Sequence, residues 1–95
     1  MKFKINTYGN TIEIHGVIKT IANMEAVIDA IKKIEGDTIK IKIYESFGLP
    51  SGIIGYLVKL KDKGKQIFLA VKSDILYELM DNLNLINAFN VTKLD

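Results

Sequence analysis

Residues 38–44, Thr-Ile-Lys-Ile-Lys-Ile-Tyr, constrain the fold of this chain more than any other stretch. Ile39, Ile41 and Ile43 alternate with Lys40, Lys42 and Tyr44. A period of two belongs to a strand with one apolar and one polar face. A parallel strand covered by helices on both sides is apolar on both faces. This one is not, because Lys40 and Lys42 have to reach water. Any helices the chain makes must then lie on one side of the sheet, and the other face must stay open.

The rest of the chain supplies the partners of that strand. Residues 2–8 alternate as well, with Phe3, Ile5 and Thr7 against Lys2, Lys4, Asn6 and Tyr8. After a Gly9-Asn10 break, residues 11–15 resume with Ile12 and Ile14 against Glu13 and His15. Two such runs about a two-residue turn read as a β-hairpin. Over 22–35 the period lengthens: Met24, Val27, Ile28, Ile31 and Ile34 form one helical stripe, while Glu25, Asp29, Lys32 and Lys33 face away. Thr20 or Asn23 suits the start of this helix and Gly36 its end.

A second helix is expected over 50–63. Pro50 stands in its first turn, Ile53, Ile54, Leu57 and Leu60 form its stripe, and Gly64 follows it. Residues 66–71 are apolar on both parities. Ile67, Leu69 and Val71 supply the core, which leaves Phe68 and Ala70 on the uncovered face. Ser73 caps a third helix over 74–83, with Ile75, Leu76, Leu79, Met80 and Leu83 turned inward. Residues 85–94 hold a turn and a last short strand near Val91. The order β-β-α-β-α-β-α, with that possible final strand, predicts an α/β fold. It is a small, mostly parallel sheet with an N-terminal antiparallel hairpin and about three helices on one face. At 95 residues this is one domain spanning 1–95.

Composition removes several classes of function. The absence of cysteine excludes thiolate metal sites, disulfides and cysteine nucleophiles. His15 is the only histidine and has no acid at a recognised metal or catalytic spacing. Asp74 and Glu78 read as helix-surface charge. Gly48, Gly52 and Gly55 are not followed by the Gly-Lys-Ser/Thr of a phosphate loop. An enzyme, and with it a cofactor, is therefore not expected. The net charge of +2, carried without any arginine, makes a weak electrostatic case for nucleic acid. No run is long enough to span a membrane and no signal peptide is visible, so a cytoplasmic protein is expected.

Where the strand 38–44 hands over to the second helix, the chain reads Glu45-Ser46-Phe47-Gly48-Leu49. Together with the element order, this stretch resembles the STAS family, the anti-sigma factor antagonists and their relatives. That family places an acidic residue, a serine, a variable residue and Gly-Leu between the third strand and the second helix. Gly64-Lys65-Gln66-Ile67, Val71-Lys72-Ser73-Asp74, Leu79-Met80 and Leu83-Asn84-Leu85-Ile86 with Phe89 resemble its later strand, closing helix and tail. The similarity covers roughly 38–91; the first thirty-seven residues match only in element order. The family usually has Asp where this chain has Glu45, and Ser or Thr where it has Phe47. Pro50 also changes how the second helix begins.

The resemblance implies a non-enzymatic signalling module. Its partner would be an anti-sigma factor or serine kinase, and Ser46 its phosphoacceptor; another register puts Ser51 in that place. Glu45, Phe47, Gly48, Leu49 and Pro50 become the candidate partner-binding residues. The residues themselves leave alternatives open. Ser46 is equally a loop serine bonded to backbone. Phe47 is either an anchor for a partner or tucked under the helix, the commoner fate of such a ring. Two other functions stay in play: a pocket for a small molecule or nucleotide in the strand-to-helix loops, and a scaffold that self-associates as a homodimer through Phe68 on the open face. The phosphoacceptor reading carries a condition, which is that Ser46 Oγ be accessible to solvent.

Overall fold

A computed structural model describes residues 2–95. The elements follow the expected order: β1 (Lys4–Tyr8), β2 (Thr11–His15), α1 (Ile21–Lys32), β3 (Thr38–Ile43), α2 (Ser51–Asp62), β4 (Gln66–Val71), α3 (Asp74–Asn82) and β5 (Thr92–Lys93). The five strands form one sheet in the spatial order β1-β2-β3-β4-β5. β1 and β2 are antiparallel, and every later pair is parallel. Strand order therefore equals chain order. Crossovers between parallel strands share one hand. Steps that always go the same way across the sheet place every connecting helix on the same side.

The core shows that one-sidedness directly. Ile12, Ile14, Ile39, Ile41, Ile43, Ile67, Leu69 and Val71 from the strands are buried with Val27, Ile31, Ile53, Leu57, Leu76 and Met80 from the three helices, in one cluster. On the other parity Lys40 and Phe68 are exposed, and Lys42 is half-buried beside Tyr8 and Glu13. Replacing Ile41 by Ala should cost about 2–5 kcal/mol in a urea titration. Lys40→Ala should stay within about 0.5 kcal/mol, as for an ordinary surface change. Equal costs would mean that the faces are reversed.

Local chemistry sets the helix ends. Thr20 Oγ1 accepts the Asn23 N–H at 2.9 Å, and Asn23 Oδ1 accepts the Thr20 N–H at 3.2 Å. Both candidate caps of α1 thus act together, as a capping box. α1 stops at Lys32, short of the expected Glu35. The chain tightens to i→i−3 bonds from Lys33 and Ile34, and Gly36 turns at φ +90°. Pro50 is the residue before α2 rather than its first, and its carbonyl accepts from Ile53 and Ile54. Ser73 Oγ caps α3 through the Leu76 N–H.

Two assignments on α3 are corrected. Ile75 and Leu83, expected on its inner face, are exposed. Each lies at an end of the helix. The tail after α3 does more than the sequence indicates. It folds into turns that bury Phe89 completely. The Phe89 carbonyl accepts the Leu69 N–H at 3.0 Å, and Asn90 Nδ2 donates to the Ile67 carbonyl at 2.9 Å. β5 pairs only with Ala70 and Val71, so this tail occupies the remaining outer edge of β4.

Candidate functional site

β2, β3 and β4 run parallel, so the β2–α1, β3–α2 and β4–α3 connections gather along one edge of the sheet, at the strand C-termini. In open α/β sheets ligands bind at this edge, in the crevice that opens where strand order reverses. Here the order never reverses. Among the described residues the fold encloses no pocket, and no three His, Asp or Glu side chains are grouped to hold a metal ion.

The β3–α2 loop is tied into this edge from below. Ser46 is fully buried, at 0% exposure. Its hydroxyl donates to the Gly48 carbonyl at 2.8 Å and accepts the Ile18 N–H at 3.2 Å. Glu45 Oε1 accepts the Gly16 N–H at 2.8 Å. Gly16 is needed for this joint: its φ is +85°, and a β-carbon there would stand 2.8 Å from Phe3 Cα. Two consecutive side chains thus bind the loop to the β2–α1 connector, nearly thirty residues earlier in the chain.

This geometry corrects the reading of Ser46 as a phosphoacceptor. The required access is missing, because both hydrogen-bonding directions of the hydroxyl are used inside the protein. Ser51, the alternative, is exposed at the first position of α2. Among the proposed partner-binding residues, Leu49 is buried in the core and Glu45 is engaged with Gly16. Gly48 and Pro50 are half-buried, with their carbonyls accepting bonds from within the loop and from α2. Phe47 is 57% exposed, against the expectation that it would tuck under the helix. Leu49 takes that inward place.

Phe47 is not alone on this edge. Ile21, the first residue of α1, is 72% exposed, and Ile75, in the first turn of α3, is 64% exposed. All three large apolar side chains follow the C-terminal ends of adjacent parallel strands. Sequence reasoning had no role for Ile21 and placed Ile75 in the core. Position in the first turn does not by itself give the signal, since Ile53 of α2 and Leu76 of α3 stand in first turns and are buried.

A second group of side chains stands on the open sheet face. His15 stacks on Tyr44, with ring centroids 4.5 Å apart and planes 9° from parallel. Its Nε2 lies 3.8 Å from Glu13 and its Nδ1 3.7 Å from Glu45. The Tyr8 hydroxyl donates to Glu13 Oε2 at 2.7 Å, and the Tyr44 hydroxyl lies 3.4 Å from the same oxygen. The Tyr8 bond, reinforced by the Lys42 charge, holds the Glu13 carboxyl below its ordinary range. Lys42 is raised by its own contact with Tyr8. Glu13 is therefore ionised at neutral pH.

Comparison with protein-family models, with curated proteins and with solved structures returned no match.

Proposed function

We propose that this chain is a non-enzymatic regulatory module, of the anti-sigma factor antagonist kind, that docks a protein partner on the strand C-terminal edge. The observation that carries this reading is the exposure of Ile21, Phe47 and Ile75, each of which follows the C-terminal end of one of three adjacent parallel strands. Large apolar side chains grouped on a surface mark an interaction site. An aromatic ring in such a group suits an anchor. Anchoring Phe47 on a loop pinned by Ser46 and Glu45 lowers the ordering cost of binding, since its backbone is held before a partner arrives. Nothing in the loops favours the small-molecule reading, which needs a concavity. If a serine at this junction is modified, Ser51, exposed at the first position of α2, is the one open to a kinase.

The test is photocrosslinking in the source cells, with a benzoylphenylalanine placed at position 47, 21 or 75. Position 58 on the outer face of α2 is the control, since Val58 is also exposed. One protein should be captured from all three edge positions and not from 58. The purified partner should then bind Phe47→Ser at least about tenfold more weakly, the loss typical of a central anchor. Equal labelling at position 58, or unchanged affinity of Phe47→Ser, overturns the proposal.

A further inference from the structure

We propose that the open face of the sheet is a binding platform for single-stranded nucleic acid. The register lays the side chains of this face in rows across the strands. One row runs Tyr8, Thr11, Lys40, Phe68 from β1 to β4. The next runs Asn6, Glu13, Lys42, Ala70, Thr92. At the far end Lys4 pairs with His15, and His15 stacks on Tyr44. Two exposed aromatic rings, Tyr8 at 50% and Phe68 at 39%, therefore flank Lys40. With neighbouring strands about 4.8 Å apart, the two rings stand roughly 14 Å from each other. A flat face that offers separated rings with ammonium groups between them is what a splayed single strand needs. Bases stack on the rings, and phosphates meet the lysines.

Lys4, Lys40 and Lys42 stand on its strands, with one strand carboxylate among them, Glu13, which accepts from the Tyr8 and Tyr44 hydroxyls. Glu45, just past the end of β3, accepts from Gly16 and lies 3.7 Å from His15 Nδ1. The same distribution argues against a second copy of this chain as the occupant. A symmetric pairing of this face with itself would bring lysines against lysines, whereas a polyanion meets both the charge and the rings. The platform lies on the sheet face rather than on its C-terminal edge, so it is independent of the Phe47 site.

The test is fluorescence anisotropy with labelled ten-nucleotide oligo(dT) and oligo(rU), a DNA duplex and poly-glutamate of equal charge. Saturable binding of at least one single strand is expected, tighter than the duplex and poly-glutamate by tenfold or more. The two single-strand arms show whether the 2′-hydroxyl matters. With about three phosphates neutralised, log affinity should fall against log salt with a slope of about −2. Tyr8→Ala, Phe68→Ser and Lys40→Glu should each weaken binding at least about fivefold, while Phe47→Ser should leave it unchanged. Circular dichroism melting of each variant separates loss of binding from loss of fold. No saturable binding at 1 mM protein, poly-glutamate binding as tightly as the single strands, or indifference to both ring removals overturns the proposal. So does a concentration-dependent dimer that Phe68→Ser dissociates, which would give the face to a second copy.

Discussion

Ser46→Asp should destabilise the fold by about 3–5 kcal/mol, the range for leaving a charge buried without its partner. The hydroxyl it replaces is fully buried and donates to the Gly48 carbonyl. A carboxylate has no proton to donate and would be held against that carbonyl oxygen; protonation to relieve this carries its own free-energy cost. Ser46→Ala should cost less, about 1–3 kcal/mol, because it leaves the Ile18 N–H and the Gly48 carbonyl without their shared partner but buries no charge. Ser51→Asp should lie within about 0.5 kcal/mol of the parent, since it is exposed at a helix start where negative charge is tolerated or favoured. The three variants in one urea titration check the whole arrangement. A Ser46→Asp protein as stable as the parent would restore the accessible hydroxyl that a phosphoacceptor needs. It would also contradict the burial seen here.

Phe89→Ala should cost a similar amount, about 3–5 kcal/mol, as truncation of a fully buried ring does. The consequence reaches beyond the cavity. The Phe89 carbonyl and the Asn90 side chain occupy the outer edge of β4 through Leu69 and Ile67. Loosening the tail frees a strand edge that can pair with another chain. The variant should therefore show both a lower urea midpoint and a growing high-mass fraction on incubation, measured by light scattering. A Phe89→Ala protein that melts with the parent and stays at one mass would show that the tail is not part of the cooperative unit. Asn90→Gly, which removes the side-chain bond to Ile67 and tolerates the φ of +46° at this position, should show the second effect more than the first.

The candidate site was legible only in outline. The loop after β3 stood out because a clean alternation ends at Tyr44 and a helical stripe begins at Ile53. The roles within it did not. Ser46 is buried because the Ile18 N–H of a distant connector reaches it, and no local pattern reports that contact. Phe47 and Leu49 are both apolar and two residues apart. Which one turns inward depends on how the Glu45 and Ser46 bonds set the path of the loop. Pro50 marked the start of α2 to within one residue, since its fixed φ and missing N–H suit only that region.

What the sequence by itself determined is the architecture. The lysines of β3 forbid a second helical layer, the changes of period place the strands and helices, and a chain that steps steadily across its sheet has one side for its crossovers. These follow from local periodicity and from the free-energy cost of burying an ammonium group, so they survive without coordinates. Only the tertiary structure decided which side chains meet. The strand register brings Tyr8, Lys40 and Phe68 into one row from three distant segments. The joint between Gly16 and Glu45 pins the loop that carries Phe47. The last turns of the chain cover the edge of β4. Each depends on contacts between residues far apart in the chain, whose geometry is set by packing and hydrogen-bond satisfaction across the whole core rather than by any window of neighbours.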